Sequence, residues 1–318
     1  MSELRAEWFR PEAISPETAA FNAKFEAEVA AAPHATTVPV EVTRAGRDRL
    51  NESKKLAHAE ERSFGPVPSR ILRPDGGARI EGVFLWIHGG GWRGGRPWYQ
   101  EDYLRDLARS SNLATLSVGY RLAPEHVYPA APDDCEAAAL WLIKNAAAEF
   151  GTDRIVIGGA SAGAHLAAVT LQRMRDRHGY RGFLGADMLY GVYDLGGTPW
   201  MKTVGEGVPV WDWRSMQQGV EWFAGGHDLR DPDVSPLYGD LTSMPPALFS
   251  IGTRDSLLED TLFMHSRWLA AGNDAELVVY PGGVHGFDGQ PLTIAAESRA
   301  RRQAFVRERI GATAAVSR

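Results

Sequence analysis

Three side chains at the ends of successive strand-like runs have the strongest claim to chemistry in this 318-residue chain: Ser161, Asp255 and His285. Ser161 lies in "IVIGGASAGAHLAAVTL", Ile155 to Leu171. The β-branched run there reads as a buried strand, and Leu166, Val169 and Thr170 recur at the spacing of a helix face, so the serine falls on the turn between them. A sharp turn would hold its backbone under strain with the hydroxyl aimed outward, and Gly159 and Gly163 leave room for neighbouring chain. Serine at a helix start is also a common N-cap. The residue alone does not separate the two roles.

A serine nucleophile needs a base, and the base needs an orienting acid. Of the nine histidines, His34 and His58 lie in the N-terminal region, His178 and His227 in polar stretches, and His265 inside a helix. His165 follows Ser161 by one helical turn and is expected to pack there, and His126 sits in a proline-rich loop. His285 is in "YPGGVHGFD", a glycine-rich loop after the last strand pattern, where a side chain can reach across the sheet edge; a surface histidine without a role is the alternative. In "LFSIGTRDSLLED" Asp255 directly follows a strand, whereas Glu259 and Asp260 open a helix whose dipole favours carboxylates. The order Ser161, Asp255, His285 is the order these roles take on an α/β-hydrolase sheet.

The fourth motif is "FLWIHGGGWRGG". Its glycines leave the N–H groups of Gly90 and Gly91 unobstructed, able to converge on an oxygen that gains negative charge; a loop that merely turns the chain is the alternative. His88 is expected to order this loop by hydrogen bonding rather than to move protons.

The elements that must hold these residues alternate. Strand patterns fall near Val38–Val42, Val67–Leu72, Val83–His88, Ala114–Tyr120, Ile155–Gly158, Ala186–Tyr190, Ala247–Gly252 and Glu276–Tyr280. Helical patterns fall at Tyr99–Ser110, Asp133–Phe150, Ala162–Arg177, Asp260–Ala271 and Thr293–Ile310. This alternation predicts an α/β fold with a mostly parallel, eight-stranded, doubly wound sheet. Residues 1–35, helical and amphipathic, and the tryptophan-rich stretch 196–226 do not fit it; both are expected to form a helical cap over the carboxyl edge of a catalytic domain spanning 36–318.

Composition narrows the partners. A net charge of −6 without a basic stripe excludes nucleic acid, and no apolar run approaches the roughly 18 residues of a membrane span. The mixed-charge N-terminus lacks a signal-peptide core, which points to the cytoplasm. The single Cys135 precludes an internal disulfide and a cysteine-based zinc site.

Together, "HGGGW" at His88–Trp92, "YRLAPEHVYPAAPDD" at Tyr120–Asp134, "GASAG" at Gly159–Gly163, "DSLLED" at Asp255–Asp260 and "HGF" at His285–Phe287 resemble the hormone-sensitive-lipase-like (bacterial family IV) carboxylesterases of the α/β-hydrolase fold. The resemblance covers nearly the whole chain. It implies a Ser161–His285–Asp255 triad, an oxyanion hole from the N–H groups of Gly90, Gly91 and Ala162, a cap built partly from N-terminal helices, and no metal or organic cofactor. Two positions depart from the family pattern: Ala160 replaces the usual polar residue before the nucleophile, and Gly119 replaces an acid that often precedes the tyrosine of "YRLAPE".

The expected activity is hydrolysis of short-chain or aromatic esters through an acyl-enzyme, with a small-molecule ester as partner and a homodimer as the family's common assembly. Trp92, Trp211, Trp213 and Val192 are candidates for the substrate pocket, with Trp98, Trp200 and Trp222 nearby in sequence; tryptophans that only pack a lid are the alternative. Arylformamidase, amidase or lactone hydrolase chemistry would use the same triad. A non-catalytic binding homologue, such as the plant gibberellin receptors that have lost the histidine, is opposed by His285. A dinucleotide loop at "GGASAG" fails because the glycine spacing departs from G-x-G-x-x-G.

Overall fold

The computed structural model describes residues 4–65, 67–204 and 212–316. Eight strands form one sheet: β1 Glu60–Phe64, β2 Val67–Leu72, β3 Gly82–Ile87, β4 Leu113–Val118, β5 Ile155–Ala160, β6 Phe183–Leu189, β7 Ala247–Gly252 and β8 Ala275–Tyr280. Their order is β1-β2-β4-β3-β5-β6-β7-β8. β1 and β2 run antiparallel to their neighbours, and the other pairings are parallel. Every residue of β3, β4 and β5 is buried, as expected of parallel strands covered by helices on both faces.

The helices are α1 Pro16–Ala31, α2 Val40–Asn51, α3 Glu101–Ser111, α4 Ala130–Phe150, α5 Ala162–His178, α6 Pro199–Val204, α7 Trp213–Ala224, α8 Leu258–Ala270 and α9 Thr293–Val316. Among the described residues no helix is long and apolar enough to cross a membrane. The helix α9 is pinned to the sheet by Arg302, whose guanidinium is buried against Asp187 at 2.9 Å.

One strand expectation is corrected. Val38, Val40 and Val42 alternate like a strand, yet 40–51 is the helix α2. Its fit comes from polar rather than apolar contacts: Arg44 donates to the carbonyl of Arg93 at 2.6 Å, and Asp48 accepts from the Tyr99 hydroxyl at 2.8 Å. The helical N-terminal segment therefore runs past residue 35, and the sheet begins at Glu60. The strand β1, "EERSF", carried no apolar pattern because it is an exposed edge. It is held by ion pairs such as Arg62–Glu149 at 2.9 Å.

The segment 196–226 contributes α6 and α7, on either side of residues that lie outside the description. At the other end of the chain, α1 packs on the loop after β8. Asn22 donates to the carbonyl of Gly282 at 2.8 Å, and Glu26 pairs with Arg254 at 2.6 Å in the loop after β7.

Candidate active site

The turn between β5 and α5 is as tight as its glycines suggested. A Cβ on Gly159 would sit 2.3 Å from the carbonyl of Gly163, and one on Gly163 would sit 2.0 Å from the carbonyl of Ile87, so only glycine lets the turn press against β3. Ser161 is left at φ 56°, ψ −123°, a conformation L residues rarely adopt. Its N–H is held by the carbonyl of Leu189 at 2.9 Å, fixing the strained residue to the end of β6. The side chain makes no capping bond to its own helix, so the N-cap alternative is set aside.

Freed from that duty, the Ser161 hydroxyl lies 3.0 Å from His285 Nε2. The Nδ1 nitrogen of His285 lies 2.9 and 3.1 Å from the two oxygens of Asp255. All three are shielded from water: Ser161 is 8% exposed, His285 9% and Asp255 0%. A carboxylate this buried fixes Nδ1 as the protonated nitrogen, which leaves Nε2 a lone pair for the serine proton. Asp255 is itself oriented, because its Oδ1 accepts from the N–H of Leu257 at 2.9 Å.

Beside the hydroxyl, Ala162 opens α5, where its N–H has no acceptor within the helix. Gly90 and Gly91 have φ 130° and 58°, and a Cβ on Gly90 would strike the carbonyl of Gly94 at 2.1 Å. Among the described residues no acceptor takes the N–H of Gly90, Gly91 or Ala162. Gly91 and Ala162 line the same cavity as Ser161.

His88 packs within this loop. It is buried, stacks on Tyr120 at 4.3 Å between ring centroids, and has Nδ1 2.8 Å from the carbonyl of Gly89. Burial pushes its pKa down to about 4, so it is neutral and takes no part in charge transfer at neutral pH. His165 is also buried, with a pKa lowered to about 4 by loss of solvent. The indole N–H of Trp92 donates to its Nδ1 at 3.1 Å, and Nε2 lies 2.8 Å from the carbonyl of Val234.

These two histidines make acid stability a test of the packing. A group whose folded pKa lies below its unfolded value of about 6.5 loses its stabilising difference as pH falls through 6.5 towards 4, a total of about 3 kcal/mol each. Asp260, whose carboxyl burial raises to about 7, has the opposite slope over the same interval. The measurement is therefore a difference: the unfolding free energy of wild type minus that of His165→Gln should fall by about 3 kcal/mol between pH 7 and pH 4. A difference independent of pH would contradict the neutral, buried assignment.

A small cavity opens at Ser161, lined by Gly91, Trp92, Ser161, Ala162, Val192, Met201, Met216 and Leu257. Trp92 and Val192, both named in the sequence reading, line this cavity. Trp213 does not. It lines a separate cavity with Leu195 and Val220, and its ring covers Gly197, where a Cβ would sit 2.2 Å away. Trp211 lies outside the described residues. The remaining tryptophans serve as packing: Trp222 lies under Arg93, Trp98 under Lys55, and Trp200 donates its indole N–H to the carbonyl of Asp255 at 3.0 Å.

The pocket residues that the sequence did not reveal are Met201, Met216 and Leu257. Glu259 and Asp260 also do more than favour a helix dipole. Glu259 accepts from the N–H of Trp200 at 2.8 Å, and Asp260 accepts from Tyr193 and Asp194 at 2.7 and 2.9 Å. The departure at Gly119 has a steric cause, since a Cβ there would lie 2.6 Å from the carbonyl of Pro68. Ala160 is buried, and its carbonyl would lie 2.7 Å from a Cβ on Gly89.

A profile of the α/β-hydrolase fold matches residues 84–289. Carboxylesterase NlhH of Mycobacterium tuberculosis is 32% identical over 284 residues, which cover 82% of this chain and 86% of that protein. Carboxylic ester hydrolase LipN of the same organism is 32% identical over 236 residues, or 70% of this chain, and the match spans only 61% of LipN. The crystal structure of a hormone-sensitive lipase from a metagenome library superposes with a TM-score of 0.83 at 30% identity, covering 92% of this chain and 98% of that one. The chain belongs to the α/β-hydrolase-fold family, in its hormone-sensitive-lipase-like branch of carboxylic ester hydrolases.

Proposed function

We propose that this protein is a serine carboxylesterase for esters of short or aromatic acids, with Ser161 as nucleophile, His285 as general base and acid, and Asp255 as the group that orients the imidazole. The observation that carries the reading is the unbroken line from the Ser161 hydroxyl through His285 to Asp255, at 3.0 and 2.9 Å, beside an apolar cavity. Ser161 attacks the ester carbonyl while Nε2 of His285 takes its proton. The N–H groups of Gly90, Gly91 and Ala162 receive the developing oxyanion. His285 then protonates the departing alcohol, and water repeats the sequence on the acyl-enzyme.

The space beside Ser161 is confined and walled by Trp92, Val192, Met201, Met216 and Leu257, which favours a short acyl chain. In this reading α6 and α7, with the helices α1 and α2, form the cap, and the sheet with its remaining helices is the catalytic domain. The enzyme acts in the cytoplasm on a small-molecule ester, without a nucleic-acid partner, and β8, the last strand of the sheet, offers an edge along which a homodimer can form.

The test is hydrolysis of p-nitrophenyl esters from acetate to palmitate. The expected result is rapid turnover of short chains that falls steeply as the chain outgrows the cavity; absence of turnover on every ester by folded protein would overturn the assignment. Met216, contributed by α7, sets part of that ceiling. Met216→Ala should raise the kcat/KM ratio of octanoate to acetate about 10-fold, since a pocket contact of one or two methylenes is worth that much discrimination. An unchanged ratio would remove Met216 from the acyl site.

A further inference from the structure

Beneath His285 lies a buried polar chain that the mechanism above does not use. Tyr190 follows the last residue of β6 with φ 35°, an unusual backbone for a residue with a side chain. Its own N–H donates to the carbonyl of Ser250 on β7 at 2.7 Å, and the preceding residue, Leu189, holds the Ser161 N–H. Tyr190 is therefore set between the strand that locates the nucleophile and the strand that leads to Asp255. Its ring rests on the imidazole of His285, with centroids 4.7 Å apart and planes inclined by 60°. Its hydroxyl donates to Oδ1 of Asp288 at 2.5 Å.

Asp288 is three residues beyond His285, in the turn Phe287–Gly289. That turn is fastened to α9 at two points. Arg299 donates to the backbone carbonyl of Asp288, and Arg302 approaches its carboxylate at 3.7 Å. Arg302 in turn is held by Asp187 on β6, with Nε 3.0 and 3.1 Å from its two oxygens, and its guanidinium lies over the ring of Tyr103 at 4.5 Å. The sheet, the histidine loop and the last helix thus meet through one line of hydrogen bonds and ion pairs, and its end nearest the chemistry is the Tyr190 ring.

We infer that Tyr190 and Asp288 act as a positioning pair, holding the His285 imidazole so that Nε2 faces Ser161 through both acylation and deacylation; this rests on the triad assignment proposed above. The packing explains the division of labour. Asp255 fixes which nitrogen carries the proton and the direction of the Nδ1–H bond, and its bonds, with the one from Nε2 to Ser161, all lie in the plane of the imidazole, so the contact that bears on its tilt is the ring of Tyr190. The Tyr190 face limits that tilt, and the hydroxyl bond to Asp288 ties that face to the histidine's own loop. Loop and ring then move together or not at all. Neither residue is among those lining the cavity at Ser161, so the pair is expected to affect turnover through His285.

The experiment is a double-mutant cycle on p-nitrophenyl acetate hydrolysis with Tyr190→Phe, Asp288→Asn and the double variant, alongside Ser161→Ala and thermal melts of each. Tyr190→Phe keeps the ring and removes the one hydroxyl. The expected outcome is a kcat lower by about 10-fold, the kinetic equivalent of one charge-assisted hydrogen bond. KM should stay at its wild-type value, and the melting temperature should fall by no more than the few degrees that one lost hydrogen bond costs, with the assay run well below it. The double variant should lose no more than Tyr190→Phe alone, because Asp288→Asn only weakens the bond that Tyr190→Phe has already removed. Full kcat in Tyr190→Phe, or losses that multiply in the double variant, would overturn the inference. A kcat loss that only tracks lowered stability or raised KM would reduce Tyr190 to packing and overturn it equally. If Asp288→Asn does not fold, Tyr190→Phe decides alone. Activity retained by Ser161→Ala would instead bring down the triad assignment, and this pair with it, whereas an inactive Ser161→Ala beside a fully active Tyr190→Phe would sink the pair alone.

Discussion

Replacing Ser161 by alanine should abolish ester hydrolysis, with a loss in kcat of about 10⁶-fold, the size seen when a triad nucleophile is removed and only binding and oxyanion contacts remain. The fold should survive intact. The serine side chain bonds to His285 and makes no capping bond to α5, so no structural hydrogen bond is lost with it. The strained backbone at φ 56° is unchanged, because alanine meets the same Cβ restriction there. The check is steady-state turnover of p-nitrophenyl acetate beside circular dichroism and a thermal melt. Residual activity within a hundredfold of wild type would mean that another group carries the chemistry.

The second large effect is expected from Asp255→Asn, and its cause is a matter of proton direction rather than charge alone. Both oxygens of Asp255 face Nδ1 of His285, and Oδ1 also accepts the N–H of Leu257 at 2.9 Å. In asparagine the remaining oxygen must stay with Leu257, since an amino group would oppose that donor. The amino group then falls at the Oδ2 position, 2.9 Å from Nδ1 in the native site. Two donors cannot face each other, so the imidazole takes the tautomer with its proton on Nε2 and can no longer accept from Ser161. The loss in kcat should be about 10⁴-fold with KM little changed. Retention of more than a tenth of wild-type kcat would show that the carboxylate does not set the tautomer.

Residues whose chemistry is local were legible in the sequence, and residues placed by tertiary packing were not. Ser161, Asp255 and His285 each follow a strand pattern at the sheet's carboxyl edge, so their type and place together pointed to one site. The glycines around Ser161 marked the turn because only they tolerate the approach of Gly163 to Ile87. Val38 to Val42 misled because alternation over five residues is a weak signal, and here Arg44 and Asp48 bind the loop beside Gly91 through a helix. The strand β1 was missed for the opposite reason: an exposed edge paired by Glu and Arg side chains has no apolar period to read.

The pocket wall was the least legible part. Met201 and Met216 come from two short helices of an insertion, and nothing in their local sequence marks the side that faces Ser161. Tryptophan was the more conspicuous residue in that stretch, yet Trp200 and Trp213 bind or cover backbone instead of lining the cavity. Tyr190 was equally silent in sequence, since its partner Asp288 lies 98 residues away in the chain.

The central claim is that Ser161 becomes acylated, and the most direct measurement is the mass of the protein itself. Brief incubation with a slowly deacylating p-nitrophenyl ester, acid quench and intact-mass analysis should show one added acyl group, and fragmentation should place it on Ser161. Ser161→Ala treated in the same way should gain none. A modification on another residue, or ester turnover with no covalent adduct under any quench, would contradict the account.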